Sequence, residues 1–211
     1  MPNLVYRADC RACPRLAGFL QRVKADHPSY FCKPVPPFGA AAAPLVIIGL
    51  APGMHGANRT GRPFTGDHAG TLLYATLKKF GFARGRFSPD GDDDLRLTGC
   101  RISNAVKCLP PDNKPDTIEI RRCNAFLAAD LAQSGRRVVL ALGLIAHGAT
   151  LTALGLKKSH VKFAHGAEHV LPDHTVLIDS YHCSRYNTNT GRLTAAMFEA
   201  VFARARALVD A

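Results

Sequence analysis

The chain has 211 residues, of which 47% are hydrophobic, and its 27 Lys and Arg against 16 Asp and Glu give a formal net charge of +11. This length supports a full core, so we expect one domain over residues 1–211, and the excess positive charge favours a polyanionic partner such as nucleic acid. No apolar stretch approaches the ~20 residues of a membrane span, and the charged N-terminus lacks the apolar core of a secretion signal, so we expect a cytoplasmic protein without a membrane partner.

The first half of the chain alternates strands with helices. The apolar run at residues 44–52 predicts a short buried strand that leads into a glycine-rich loop, and residues 68–82 have the apolar spacing of an amphipathic helix closed by Gly81. A second strand is predicted within residues 96–108. The segments 31–44 and 82–95 are expected to be surface connections.

The second half repeats this alternation. Residues 115–135 predict a helix, which opens with the capping-box spacing of Asp116 and Glu119 and closes near Gly135. Residues 136–143 predict a third strand and 144–155 a helix. A fourth strand is predicted at 174–184, and a terminal helix follows it at 190–210. Alternation of this kind predicts an α/β fold, a three-layer α/β/α sandwich with a short, mostly parallel central sheet.

The least ordinary residues follow the four predicted strands. They lie in segments 49–66, 104–108, 143–147 and 182–187. Because ligands bind outside the carboxyl ends of the strands in open sheets, we expect these segments to converge on one cleft.

The seven cysteines suggest a metal site, since cytoplasmic thiols are kept reduced. Cys10 and Cys13 form a C-x2-C pair, and Cys108 and Cys123 are separated by fourteen residues. Four thiolates suit an iron-sulfur cluster or a zinc ion, while plain core packing is the alternative. Cys183 lies beside a histidine, but no base with an orienting partner is evident at a spacing that would make it a nucleophile.

Several ordered motifs together resemble a known family. They are "GLAPGMHGANRTGRPFTGD" at 49–67, "ISNAVKCLPPDNKP" at 102–115 and "SYHCSRYNTNTGRLT" at 180–194, with the four cysteines above. In combination they resemble the uracil-DNA glycosylase superfamily, and within it the iron-sulfur type B group, or family 5. The resemblance runs from Cys10 to about Thr194. It implies an enzyme that extrudes a deaminated base from DNA into a pocket and removes it.

The resemblance assigns the base-reading and leaving-group roles to three residues. Phe64 matches the ring that stacks on the base, with plain packing as the alternative. Asn104 matches the asparagine that reads the base edge, although a strand-end asparagine also caps its own backbone. His182 matches the histidine that hydrogen-bonds the base as negative charge develops on it.

The resemblance also assigns the remaining contacts. In the glycine loop, backbone amides approach the flipped nucleotide closely, with His55 and Arg59 as polar contacts. In the last motif, Ser184 and Asn187 would grip phosphates, and Arg185 or Tyr186 could enter the minor groove as a wedge. The four cysteines become ligands of a [4Fe-4S] cluster that ties the N-terminal segment into the domain and has a structural role.

Two departures from the better-known members concern water and specificity. Ala51 stands where those members have the aspartate that orients water, as in type B relatives, so Asn58 is our first candidate for that role and Asp67 the alternative. Gly53 stands where uracil-strict members have a tyrosine that excludes the thymine methyl. A roomier pocket predicts activity on hypoxanthine and xanthine as well as uracil.

Two other functions compete with this one. A non-catalytic module that binds damaged DNA would also keep the pocket and the basic face, and the missing acid at Ala51 favours it. A relative that attaches covalently to uracil-DNA is disfavoured, because its characteristic Arg- and His-rich loop is not evident. We expect a monomeric, nucleoid-associated enzyme that leaves an abasic site for a downstream abasic-site endonuclease.

Overall fold

The computed structural model describes residues 6–133 and 135–211. The helices are α1 (Pro14–Asp26), α2 (Ala57–Thr60), α3 (His68–Lys79), α4 (Thr117–Gln133), α5 (Leu144–Ala153), α6 (Arg185–Asn189) and α7 (Ala195–Asp210). The strands are β1 (Phe38–Gly39), β2 (Leu45–Gly49), β3 (Ala83–Arg84), β4 (Arg96–Leu97), β5 (Cys100–Asn104), β6 (Val138–Leu142), β7 (Glu168–Val170) and β8 (Val176–Ser180). None of the helices in these ranges is long and apolar enough to cross a membrane.

A central sheet organises the molecule in the strand order β1-β5-β2-β6-β8-β7. The four inner strands run parallel, and β1 and β7 close the two edges antiparallel. The inner strands are the four that the sequence predicts. The mostly parallel sheet is therefore confirmed.

The two faces of the sheet carry separate apolar layers. Alternate side chains of β2 point to opposite faces, so Leu45 and Ile47 pack with α3 and α7, whereas Val46 and Ile48 pack with α4 and α5. All four of these side chains are fully buried, and each such burial stabilises a fold by roughly 1.5–3 kcal/mol. The three-layer α/β/α architecture is confirmed.

The predicted helices form where their capping residues place them. Asp67 caps α3 by accepting from the Gly70 N–H at 2.9 Å, and Asp116 donates its N–H to Glu119 Oε2 at 2.7 Å, which is half of the expected capping box. Gly81 follows α3 in the left-handed conformation, with φ +72°. The expected end of α4 adjoins Ser134, which lies outside the described residues.

The two segments expected to be plain surface connections hold structure. Residues 31–44 include the edge strand β1, and Val35 is buried there. Residues 82–95 include β3, which pairs with β4, and the side chain of Asp93 is fully buried against Arg62. Both segments connect the predicted elements as expected, but each is fixed by partners distant in sequence.

Candidate active site

A cleft opens at the carboxyl ends of the parallel strands. Its walls come from the loop after β2, the start of α3 and the loop after β8. The lining residues are Leu50, Ala51, Gly53, Met54, His55, Gly56, Gly66, Asp67, His68, Ala69, Asn113, His182, Ser184 and Arg185. The strands thus bring two of the four expected segments together as its walls.

Phe64 and Asn104 lie beneath this lining and meet at Gly49. A methyl group on Gly49 would lie 2.5 Å from Asn104 Oδ1 and 2.7 Å from the Phe64 ring, so only glycine leaves room for both. Asn104 is 3% exposed and Phe64 is 7% exposed. Among the residues that the structure describes, Asn104 Oδ1 has no hydrogen-bond partner, which is costly for a buried acceptor and typical of a group that meets a ligand.

The loop that carries Phe64 is held in a strained shape. Phe64 has φ +56°, a left-handed conformation that a bulky residue rarely adopts. Its carbonyl oxygen would lie 1.7 Å from a methyl group on Gly70, so the loop packs directly on the first turn of α3. Tyr74 donates to the Pro63 carbonyl at 2.6 Å, which fixes the neighbouring residue.

An ion pair supports the same loop from outside the cleft. Arg62 donates to both carboxylate oxygens of Asp93, at 2.7 and 2.6 Å, and Asp93 also accepts the N–H groups of Ser88 and Leu95. The Arg62 hydrogen bond holds the pKa of Asp93 well below its usual range, although burial opposes this shift. The loop is therefore anchored two residues before Phe64.

His182 stands two residues after β8 and faces the Phe64 ring. The two ring centroids are 6.0 Å apart and the ring planes are inclined by 25°. Burial at the back of the cleft lowers the pKa of His182 to about 4, so the imidazole is neutral near pH 7. Its backbone carbonyl accepts from Asn187 Nδ2 at 2.8 Å, which fixes the turn that carries it.

The two candidates for orienting water differ in their access to the cleft. Asp67 lines the cleft, and burial raises the pKa of its carboxyl. Its Oδ1 accepts the Gly70 N–H, whereas Oδ2 would lie 3.1 Å from a methyl group on Gly56 and 3.5 Å from one on Gly53. Asn58 is fully buried and donates to Cys32 Sγ at 3.4 Å, and it is not among the residues that line the cleft.

The polar side chains of the glycine loop point to its rim. His55 is exposed, and its Nδ1 lies 2.9 Å from the Tyr30 hydroxyl. Arg59 donates to the His55 carbonyl at 2.9 Å and pairs with Asp90 at 2.7 Å. His55 therefore faces solvent at the cleft, whereas Arg59 is half-buried and its charge is paired with Asp90.

The loop after β8 presents a short helix to solvent. Ser184 caps α6 by accepting the Asn187 N–H at 3.4 Å. Arg185 lines the cleft and is exposed, and the Tyr186 side chain is 73% exposed. The amide of Asn187 already bonds the His182 carbonyl, so this residue also acts inside the loop.

Two expectations about the cleft were wrong. Residues 143–147 do not join its lining: Gly143 packs near His182, but Leu144, Ile145 and His147 line a separate pocket. The segment 104–108 likewise turns away after Asn104, because Val106, Lys107 and Cys108 line a different cavity. The helix α5 starts immediately after Gly143 and leads His147 away from the cleft.

Cys183 is fully buried and donates to the Ala69 carbonyl at 3.5 Å. Burial raises the pKa of this thiol, so it stays protonated. The structure thus agrees with the view that it is not a nucleophile.

The four motif cysteines line one cavity beside α1. Its other lining residues are mostly apolar, and burial raises the pKa of Cys108 to about 12 and also raises those of Cys13 and Cys123. Among the described residues, no three cysteine sulfurs lie mutually within 4.8 Å. One zinc ion would hold its sulfurs about 3.8 Å apart, given Zn–S bonds of about 2.3 Å. The sulfurs are therefore not arranged around a single tetrahedral ion.

Sequence reasoning missed several residues of the cleft. Met54, His68 and Asn113 line it, and His68 Nε2 lies 3.0 Å from Thr188 Oγ1, which ties α3 to α6. Asn113 comes from the short 3-10 helix Pro111–Asn113 and has φ +56°. The positions of Met54, inside the glycine loop, and of His68, directly after it, could have indicated their places.

Fold and site together define a class, the α/β enzymes that hydrolyse a base from DNA. In this chain a strained loop with Phe64, the strand-end Asn104 and His182 after the last parallel strand come together beside one cleft. The family model for the uracil DNA glycosylase superfamily matches residues 36–206. A type-5 uracil-DNA glycosylase of Thermus thermophilus is 45% identical over 205 residues, covering 94% of this chain and 93% of that relative. The chain belongs to the uracil-DNA glycosylase superfamily, among its type-5 members.

Other relatives agree with this placement. A type-5 uracil-DNA glycosylase of Mycobacterium tuberculosis is 40% identical over 209 residues, covering 94% of this chain and 78% of that relative. A type-4 uracil-DNA glycosylase of Pyrobaculum aerophilum is 34% identical over 122 residues, or 57% of this chain and 55% of that relative. Similarity to type-5 relatives is thus both higher and more extensive.

Proposed function

We propose that this protein is a DNA repair glycosylase that hydrolytically removes uracil, hypoxanthine and xanthine from DNA and leaves an abasic site. The observation that carries the proposal is the meeting of Phe64, Asn104 and a neutral His182 at the carboxyl end of the sheet. The enzyme acts as one domain over residues 1–211.

The flipped base stacks on Phe64 and is read by Asn104. The unpartnered Asn104 Oδ1 supports this role, since a base N–H would satisfy it. The carboxamide also carries two N–H donors, so it can match a base edge that presents both a donor and an acceptor. Stacking on an aromatic face accepts any base, which leaves the discrimination to the edge contacts.

His182 stabilises the base as it leaves. Glycosidic cleavage places negative charge on the base and positive charge on the sugar. A neutral imidazole N–H at this position gains strength as the base becomes anionic, because the hydrogen bond then becomes charge-assisted. Burial keeps the imidazole neutral, so its N–H donates a hydrogen bond to the base while the ring itself carries no charge.

Asp67 orients the attacking water, with Asn58 as the weaker candidate. What supports Asp67 is that it lines the cleft with Oδ2 over Gly53 and Gly56, while the Gly70 N–H fixes Oδ1. The side chain of Asn58 is instead buried against Cys32. Because the cation-like sugar is a reactive electrophile, one oriented carboxylate is sufficient.

The absence of a side chain at Gly53 gives the pocket its breadth. Gly53 and Ala51 both line the cleft, and neither carries a group that would exclude a purine. A methyl group at Gly53 would be in ordinary contact with Asp67, at 3.5 Å, so a larger side chain at this position would occupy cleft space next to Asp67. Hypoxanthine and xanthine are therefore substrates beside uracil.

The cavity lined by Cys10, Cys13, Cys108 and Cys123 would hold a [4Fe-4S] cluster through these four thiolates. A bound cluster would supply a covalent cross-link, not a reacting group. Its ligands would join the segment before α1 to the connection after β5, at Cys108, and to α4, at Cys123. The Lys107 N–H donates to Cys123 Sγ at 3.2 Å, which orients that ligand.

The exposed side of the loop after β8 holds the DNA. Tyr186 or Arg185 enters the minor groove as the wedge, while His55, Arg59, Ser184 and Asn187 meet the strand that carries the lesion. The protein acts as a monomer near the nucleoid, and an abasic-site endonuclease takes over its product.

The experiment that tests this function is excision from duplex oligonucleotides that each carry one uracil, hypoxanthine or xanthine, with alkaline cleavage of the abasic sites. Release of all three bases supports the proposal, and release of uracil alone contradicts the broad pocket. Tight binding without abasic sites would favour the damaged-DNA binding module. A species that stays shifted on a denaturing gel would indicate covalent attachment.

A further inference from the structure

Outside the active site, a fully buried carboxylate lies between two imidazoles. Asp179 of β8 is 0% exposed, and its neighbours are His147 of α5 and His169 of the edge strand β7. His147 Nδ1 lies 2.8 Å from Asp179 Oδ1, and His169 Nε2 lies 3.3 Å from Asp179 Oδ2. We infer that these three side chains form a binding site for a divalent transition-metal ion, with Zn²⁺ as the best fit.

The distances suit a tetrahedral ion. The ligand atoms of the three residues all lie within 4.8 Å of one another. Bonds of about 2.0–2.1 Å would place adjacent ligand atoms roughly 3.3 Å apart. The separation of His169 Nε2 from Asp179 Oδ2 already has this length, whereas His147 Nδ1 lies 2.8 Å from the other oxygen, Oδ1, so the carboxylate would turn to present one oxygen to the ion.

The outer contacts of His147 have the form that metal-ligating histidines show. Its Nε2 lies 3.3 Å from the Val161 carbonyl and its Nδ1 lies 2.8 Å from Asp179 Oδ1, so both ring nitrogens face oxygen acceptors, and a bound ion would replace the proton between Nδ1 and Asp179. Such a carbonyl partner fixes both the tautomer and the orientation of a ligand. The arrangement thus extends beyond the three ligating side chains.

The charge of Asp179 also calls for a cation. A buried carboxylate is strongly disfavoured unless it is paired. Within the described ranges, its ion pairs are with His147 and His169 alone, and no Lys or Arg reaches it. A divalent ion bound to one carboxylate and two neutral imidazoles would compensate this charge, and two nitrogens with one oxygen favour Zn²⁺ over Mg²⁺ or Ca²⁺.

An ion has a route to the site. His147 lines an open pocket together with Val161, Lys162 and Phe163, and the His169 side chain is 16% exposed at the sheet edge. This pocket is separate from the cysteine cavity and from the catalytic cleft. Water can fill the fourth position of the ion.

The role of such an ion is positional. It would join α5 and β7 to β8 at Asp179. Ser180, Tyr181 and the catalytic His182 follow Asp179 in the chain. Gly143, at the start of α5, also lies against His182, where an added methyl group would be 3.6 Å from its Cβ. The ion would therefore hold the strand end that presents His182, without touching the substrate.

The test is Zn²⁺ binding to the purified protein with its cysteine site loaded. After removal of loosely bound metal, we expect one Zn²⁺ per chain with a dissociation constant of about 1 µM or tighter. We also expect thermal stabilisation on adding Zn²⁺ and an anomalous-scattering peak at the zinc edge beside Asp179. Activity is not needed as a readout.

Matched variants make the assignment specific. His169→Ala and Asp179→Asn, which preserves the size of the buried side chain, should each weaken Zn²⁺ binding at least tenfold, while His160→Ala removes an exposed histidine of the same region and should leave it unchanged. Three results would overturn the site: no stoichiometric Zn²⁺, unchanged binding in both variants, or zinc density only at the cysteines.

Discussion

The rings of Phe64 and His182 face each other at a centroid distance of 6.0 Å with an inclination of 25°. A base sandwiched between two rings needs about 7 Å, since each stacked contact takes about 3.5 Å. Because the separation of nearly parallel rings cannot exceed their centroid distance, this gap is too narrow for a sandwich. A base that stacks on Phe64 therefore does not also stack on His182.

Asp67→Asn should slow single-turnover uracil excision by about 100-fold, as expected for loss of a positioned base. Asparagine caps helices as well as aspartate does, so α3 should remain intact. Asn58→Ala is the comparison: it removes the bond to Cys32 and should lower the free energy of unfolding by about 1–2 kcal/mol while leaving the rate within a few-fold. The reverse order of rate effects would assign the water to Asn58.

Gly53→Tyr should narrow the pocket and reduce hypoxanthine excision by roughly 100-fold relative to uracil excision. Gly53→Ala is the matched control, because its methyl group makes only an ordinary contact with Asp67. The measurement is kcat/KM for each base in the same duplex. Equal losses for both bases in Gly53→Tyr would show that the position does not select by size.

Asp93→Asn should lower the free energy of unfolding at pH 7 by about 3 kcal/mol, because it leaves Arg62 buried without its partner charge. Asp92→Asn, at an exposed neighbour, should change it by less than about 0.5 kcal/mol. Urea denaturation of the three proteins provides the comparison. A small, equal change in both variants would contradict the anchoring role of the pair.

The same pair makes a prediction for pH. The pKa of Asp93 is lower in the folded chain than its ordinary value of 3.8, so the unfolded chain binds the proton more readily. The stabilisation is fully present above the unfolded pKa and is lost as pH falls through the folded pKa. The difference between wild type and Asp93→Asn should thus be constant from pH 5 to 8 and shrink below pH 4.

Tyr186→Ala should weaken excision from duplex DNA by about tenfold and affect single-stranded DNA much less, because a wedge is needed only where a base leaves a stack. The Tyr186 side chain is 73% exposed, so stability should be unchanged. Arg185→Ala tested in parallel identifies which of the two side chains is the wedge. Equal losses on both kinds of substrate would indicate a phosphate contact instead.

The sequence predicts the sheet and its main helices because they rest on local patterns. The fully apolar run of β2 and the cap at Asp67 are visible within a few residues. α1 carries a local signal as well, since Leu16, Leu20 and Val23 follow Pro14 at helical spacing, although this helix is not among those predicted from the sequence. The edge strands β1 and β7, of two and three residues, are too short to leave a periodic signal.

The site was predictable where it follows strand ends and unpredictable where it depends on distant pairs. Asn104 is the last residue of β5 and His182 follows β8 by two residues, so their convergence follows from the topology. The pairing of Arg62 with Asp93 spans 31 residues and has no local signature. The turn of α5 that takes His147 to Asp179 likewise appears only in three dimensions.

The most direct test of the account is the single-turnover rate of uracil release by wild type and His182→Ala, with DNA binding measured on the same duplex. The account predicts a rate loss of about 100-fold or more with binding nearly unchanged, because the neutral imidazole acts on the leaving base and not on the ground state. An unchanged rate in His182→Ala would contradict the assignment of leaving-group stabilisation to this residue.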